Sequence, residues 1–313
     1  MENKRVLLVN CIGIALITVL ILGGLFLKID IEKFWAEISS ISPIHLLIAL
    51  VLSIIANIIL VADRWRRILK LLGCSLTLRE ATFVVLACKP VKFLLPLRLG
   101  SLCKVVYIKR YMQFGRGLSS IFLDNIFDKI SILSLLCLGA IFYKTHSLWV
   151  IILMFFAITF LFLYSEAFVS LFWPWLEKKE SKLYVFIRQA LSGLKEIPMM
   201  PKVKLLAYSV FIKLLSLIIF YFIFKGFGME IGIYKFFAFM PVVSILSEVP
   251  FTLAGLGIRE ASVLFLFLGS APEEKLLSAG VMLSFVEKLF PALIGLLVFI
   301  PFIKLLNGKK WIN

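Results

Sequence analysis

The stretch SEVPFTLAGLGIREASVLFLFLG, residues 247–269, sets two carboxylates, an arginine and a proline inside an otherwise apolar run. Hydrocarbon rejects such groups: a charge at the bilayer centre costs about 2.5–3.5 kcal/mol on insertion scales. Pro250 removes a helix donor just after Glu248. Gly255 and Gly257 permit a turn, and Arg259 and Glu260 open the next apolar arm. The segment therefore reads as two helical arms, each too short to cross a membrane, joined by a break.

Composition agrees with a membrane setting. Of 313 residues, 62% are hydrophobic and the mean hydropathy is +1.05, against about 45–50% apolar residues in soluble domains. No soluble core of this size absorbs the excess, so the expected class is an all-α integral membrane protein. Lys and Arg number 34 against 18 acids, a net +16. These bases cluster between apolar runs, where they set orientation and meet anionic headgroups, and they leave no basic soluble domain for nucleic acid. Five cysteines without a CxxC pair, and only His45 and His146 beside them, offer no metal set. No metal or cofactor is expected.

A span needs about 20 apolar residues to cross roughly 30 Å of hydrocarbon. Six runs qualify, at 6–27, 44–62, 118–142, 148–165, 205–224 and 281–303. Two further regions, 81–110 and 235–269, are broken in the middle. The bases of 63–80 (Arg64, Arg66, Arg67 among them) and those following the first break (Lys104, Lys109, Arg110, Arg116) ask to be cytoplasmic. Region 81–110 then enters the membrane and returns on one side. By the same test 235–269 enters and returns on the other side, and both chain ends lie on the cytoplasmic face of the cell membrane. The chain divides into halves 1–142 and 143–313 of opposite topology, each with one re-entrant hairpin, an arrangement used by transporters. Segment 166–204 alternates apolar and basic residues and reads as an amphipathic connection on the inner leaflet. The tryptophans, Trp35 and Trp65 among them, fall mainly at span ends as interface anchors.

The first break, CKPVKFLLPLRLGSLCK (88–104), holds Pro90, Pro96 and Gly100 beside Lys89, Lys92 and Arg98. Lys89 and Lys92 either snorkel to the surface or face a wet cavity; Arg98, at the tip, is read as facing the cavity. In the second break, a half-helix starting near Gly257 would aim free N–H groups at an anion, and the Arg259 fork suits phosphate. The competing structural reading pairs Arg259 with Glu260 or Glu248. Asp124 and Asp128 share one helix face and are read as partners of Arg98 or Arg259, or as proton carriers. Their alternative is favourable placement near a helix start. Lys213 reads as a snorkelling base, and Glu287–Lys288 as lying near the outer end of the last span.

At these residues the chain resembles the flippase-like transmembrane region of lysylphosphatidylglycerol synthases. ADRWRRIL (62–69), LPLRLGSLCKVVYIKR (95–110), FLDNIFDKI (122–130) and VPFTLAGLGIRE (249–260) carry the similarity, in an order that covers nearly the whole chain. Ser101 stands where the family commonly has Glu, and Asn125 where it commonly has Arg, as though a charge pair had been lost. The resemblance implies lipid translocation, and with the chain stopping at Asn313 it does not imply lysyl transfer. The expected function is movement of an anionic lipid headgroup between leaflets. Arg98, Arg259 and Lys92 would bind it, with backbone at Gly100, Gly255 and Gly257. Asp124, Asp128, Glu248 and Glu260 would orient the bases or couple protons, and Pro96 and Pro250 make the breaks. The headgroup could belong to a phospholipid, an aminoacyl-phospholipid or a polyprenyl phosphate. Alternatives are an accessory subunit recruiting a lipid-modifying transferase, and a membrane-embedded lipid-metabolising enzyme, although no catalytic constellation is recognisable.

Overall fold

The computed structural model describes residue 13 and residues 16–27, 30–95, 100–143, 158–160, 162–164, 182–248 and 252–306. Pro96, Arg98 and Pro250 lie outside these residues, as do most of the expected span 148–165 and the first part of the 166–204 connection. Among the described residues every regular element is helical. The first half runs through α1 (Leu16–Phe26), α2 (Ile31–Ser40), α3 (Pro43–Leu71), α4 (Leu78–Ala87), α5 (Lys89–Leu94), α6 (Leu102–Ile108) and α7 (Phe114–Tyr143). The second runs through α8 (Lys182–Glu196), α9 (Met199–Gly226), α10 (Ile233–Leu246), a 3₁₀ turn at Leu253–Gly255, α11 (Ile258–Leu266) and α12 (Glu273–Leu306).

Among the described residues, three helices, α3, α9 and α12, are long and apolar enough to cross a membrane. α7 has 30 residues, about 45 Å at 1.5 Å per residue. The protein is therefore an all-helical, multi-pass membrane protein. Local sequence sets the helix starts. Asp30 accepts from the Glu32 and Lys33 amides to begin α2, Pro43 opens α3 where no donor is needed, and Thr77 with Glu80 forms a capping box on α4.

α3 continues past the expected span end at residue 62 and runs to Leu71, so Arg64, Arg66 and Arg67 are helical rather than in a loop. Asp63 holds Arg66 and Arg67 one turn on, at 2.6 Å each, which carries the helix forward and leaves Arg64 on the opposite, inward face. Trp65 is likewise not an interface anchor. It is fully buried and donates from Nε1 to Ser120 Oγ at 3.3 Å. Trp35, by contrast, is exposed, as an anchor should be. α8 lays one side against α7, with Ser192 and Ser119 hydroxyls 3.0 Å apart and Arg116 Nε 3.6 Å from Glu196.

Among the described residues, two stretches of the chain share an order of elements: a long helix (α3, α9), shorter interrupted helices, and a long helix (α7, α12). Their first long helices, α3 and α9, pack antiparallel. The Ser42 amide donates to Gly226 O at 2.9 Å, and at the other end Arg67 lies 5.0 Å over the Tyr208 ring. Each broken pair packs on the last long helix of the other half, α4 and α5 on α12, and α10 on α7. The first broken region brings two aromatics to Phe302, Phe83 of α4 at 6.2 Å and Tyr107 of α6 at 6.1 Å. Both arms of the second bring one to Phe224, Phe236 at 5.5 Å and Phe267 at 5.3 Å. The inner ends meet, α5 against the Leu253–Gly255 turn.

Small residues allow the cross-half packing. A side chain at Gly139 on α7 would lie 2.8 Å from Ala238 Cα, and one at Gly295 on α12 would lie 2.7 Å from Pro90 Cδ. Gly139→Leu and Gly295→Leu should each lower stability by about 1–3 kcal/mol through overpacking. Gly24→Leu, which meets nothing within 4 Å, should be neutral. Thermal unfolding in detergent compares the three.

Candidate functional site

Where the two broken pairs meet lies a cavity of about 170 Å³. Its lining comes from α3, both arms of the first break, α7, α9, the second break and α12. Two interruptions of helical geometry face it. The π-helical turn Ile55–Leu60 in α3 contributes Asn57, and the π-helical turn Phe285–Leu289 in α12 contributes Glu287 and Lys288. Such turns leave backbone groups unpaired, and Ser53 Oγ donates to one, the Val286 carbonyl, at 2.7 Å.

The cavity wall is a charge network. Arg64, 2% exposed, donates from Nε to Asp124 Oδ1 at 2.9 Å and reaches Asp128 Oδ1 at 3.3 Å. Lys104 Nζ donates to Asp124 Oδ2 at 3.2 Å, and Lys213 Nζ lies 2.9 Å from Asp128 Oδ1. Across the cavity Lys129 pairs with Glu248, and Arg259 pairs with Glu287, which also has Lys288 Nζ at 3.8 Å. Among the described residues, six bases line the cavity (Arg64, Lys89, Lys92, Lys104, Lys213 and Lys288), and Lys129 and Arg259 are bound to its acids. Against these eight stand four acids, Asp124, Asp128, Glu248 and Glu287. The lining itself thus holds six basic and four acidic side chains among the described residues.

The expected site residues are thus partly brought together. Lys92, Gly100, Gly255, Asp124, Asp128 and Glu248 all line the cavity. The Ser101 and Asn125 positions line it too, so the acid and base that the resemblance leads one to expect there would have faced the same space. Lys89 faces the cavity rather than snorkelling. Gly100 packs directly on the Lys92 backbone, and Gly255, at φ +83°, packs on the Ser247 carbonyl. A side chain at either glycine would keep the two arms of its break apart.

Several partners differ from the expectation. Asp124 and Asp128 pair with Arg64, Lys104 and Lys213, not with Arg259, because α3 and α9 flank α7 at that level. Lys213 is therefore a partly buried ion-pair partner and does not snorkel, and Lys104 is a buried group of α6 and not a loop base. Arg259, 3% exposed, pairs with Glu287 instead of Glu260 or Glu248, and also donates to Leu283 O at 3.3 Å. Glu287 is reachable because α12 begins at Glu273, which puts Glu287 about 21 Å along the helix and not at its outer end. Gly257 offers no free amide: its N–H donates to Glu260 Oε2 at 2.6 Å, while Ser284 donates to Glu260 Oε1 at 2.5 Å. Glu260 is a buried cap for α11.

Sequence reasoning missed Arg64, Lys104, Lys213 and Lys288 as site residues. The available signal for Arg64 was its offset from Arg66 and Arg67, which bond Asp63 only if the helix continues. Arg64→Gln should cost about 3–5 kcal/mol by stranding buried acids. Arg66→Gln, on a half-exposed pair, should cost under about 1 kcal/mol. Unfolding midpoints of the two variants decide between a buried network and a surface one.

Comparison with known proteins bears on what this cavity belongs to. No curated protein matches the chain. Residues 10–295 match the family described as the lysylphosphatidylglycerol synthase TM region. That match takes in α1 through most of α12, including every described residue that lines the cavity. The chain belongs to the lysylphosphatidylglycerol synthase TM region family.

Proposed function

We propose that the protein is a lipid transporter, not a catalyst, and that it moves an anionic lipid headgroup between leaflets through the cavity between the two breaks. The observation that carries this reading is a space flanked by broken helices whose lining is richer in bases, six, than in acids, four. Basic side chains around a space at membrane depth favour an anion in it. A phosphate headgroup supplies that anion, held by Lys89, Lys92 and Lys288, with Gly100 and Gly255 letting backbone approach. Arg98 lies outside the described residues. Arg259 acts by fixing Glu287, and Asp124 and Asp128 act by fixing Arg64 and Lys213.

The topology proposed is an inverted repeat with two re-entrant hairpins. Three contacts support it. α3 and α9 run antiparallel, the arms of the first break return to Phe302, and those of the second return to Phe224. Phe302 belongs to a cluster with Trp65 and Leu69 near the end of α3, whereas Phe224 lies near Gly226, which meets the start of α3. The hairpins then open to opposite leaflets, and alternate access needs only that one tip part from the other.

Cysteines introduced at exposed Ser75 and Tyr111 should label from one side of sealed vesicles, and those at exposed Glu230 and Glu273 from the other. Labelling of all four from one side would sink the re-entrant arrangement. In proteoliposomes, the purified protein should equilibrate a fluorescent anionic phospholipid between leaflets. Lys89→Gln combined with Lys92→Gln should slow this by about tenfold or more, since each lost charged contact weakens binding by about 1.5–3 kcal/mol. Unchanged rates in the folded double variant would remove the cavity from the pathway.

A further inference from the structure

Two cysteines of the first break meet beside the cavity and take no part in the transport proposed above. We infer that Cys88 and Cys103 form a redox site, two thiols that a peroxide converts into a disulfide fixing α6 to the junction of α4 and α5.

The fold builds this pair, since nothing in the spacing of the cysteines marks it. Cys88 closes α4 at its C-terminal end, just before α5 begins at Lys89. Cys103 lies in the first turn of α6, across the break. α4 and α6 pack on one another, and both cysteines join the apolar cluster around Trp65, Leu69 and Phe302. There the two thiols hydrogen-bond to each other. Cys88 is buried and Cys103 only partly so. An oxidant therefore meets Cys103 first, and Cys88 stands behind it as the resolving thiol. Among the described residues no other two cysteines are placed this way. Cys74 lies in the same cluster with Glu80 rather than a thiol beside it, and Cys137 is buried on α7 with no thiol beside it.

The step balances with peroxide as the oxidant. The Cys103 thiolate attacks one peroxide oxygen, the O–O bond breaks, and hydroxide leaves and takes up the thiol's proton as water. The Cys88 sulfur then attacks the sulfur of the resulting sulfenic acid. The S–O bond breaks, and the hydroxyl departs with the Cys88 proton as a second water. Two thiols and one peroxide give one disulfide and two waters. Bridged cysteines keep their Cα atoms about 4.4–6.8 Å apart, a geometry that touching thiols on packed helices approach by side-chain rotation. In a reducing compartment the pair rests as thiols and closes when peroxide rises. Cys88 lines the cavity, and so do Ser101 and Lys104 close to Cys103. The bond thus ties two walls of the cavity together. Its effect on lipid passage rests on the headgroup reading above; the bond itself does not.

The test treats the intact protein in detergent with hydrogen peroxide, then alkylates and digests it for mass spectrometry. Oxidation should remove two alkylatable thiols and yield one linked peptide pair containing Cys88 and Cys103, both reversed by a phosphine reductant. Cys103→Ser should abolish the linked pair, and Cys88→Ser serves in its place if that variant fails to fold. The thermal unfolding midpoint of the wild type should rise on oxidation and fall back on reduction, because a bridge restricts the unfolded chain. In proteoliposomes the oxidised wild type should equilibrate anionic phospholipid more slowly than the reduced protein, a difference that Cys103→Ser should lose. Oxidised protein that keeps both thiols alkylatable, or that links either cysteine to Cys74 or Cys137, would overturn the site. A formed bridge with an unchanged lipid rate would overturn its hold on the cavity and leave the redox site standing. Lipid that moves in neither state would overturn the headgroup reading, and the linked peptides would still decide the site.

Discussion

A charge placed in a low-dielectric helical bundle must be matched where it sits, and the arrangement of this protein depends on that requirement. Arg64 is held by Asp124 and Asp128, Asp128 is shared with Lys213, and Asp124 with Lys104. These groups come from α3, α7, α9 and α6, so one network ties four elements from both halves at a single level. Moving any of these helices by a turn would strand a buried carboxylate or guanidinium. The apolar contacts around the network set helix separation, but they are tolerant of sliding; the ion pairs are not.

The backbone is interrupted at the same level as the charges. Both breaks and both π-helical turns face the cavity, and the polar groups that they free are taken up by neighbours. Ser53 caps the Val286 carbonyl, Glu260 caps the Gly257 amide, and Thr18 on α1 accepts from the Leu253 amide at 2.9 Å. Irregular backbone at membrane depth is tolerated only where protein or a water-filled space satisfies it. The cost of building the cavity is thus offset locally, and the close approach of Gly100 to Lys92 and of Gly255 to Ser247 lets α5 meet the Leu253–Gly255 turn.

Much of this was legible in the chain itself. The excess of apolar residues settles the membrane class, and Pro–Gly–Arg interruptions in two apolar regions locate both breaks, at 81–110 and 235–269, where the helices do part. The motif residues Lys92, Gly100, Gly255, Asp124 and Asp128 line the cavity. What misled was treating every base beyond an apolar run as a loop marker. Arg64 and Lys104 follow apolar segments just as cytoplasmic bases do, and Lys213 sits near a span end as a snorkelling lysine would. Each is nonetheless turned into the bundle and paired with an acid.

The sequence by itself determined which segments are apolar enough to be helices in a membrane and where those helices cannot continue, because hydropathy, proline and glycine act within a turn or two of their own position. Only the tertiary structure decided which charge answers which. Arg259 meets Glu287 rather than its neighbour Glu260, and Glu260 turns back to cap its own helix. An ion pair is fixed by distance in space, and its partners here lie on helices dozens of residues apart whose relative height is set by the packing of the whole bundle.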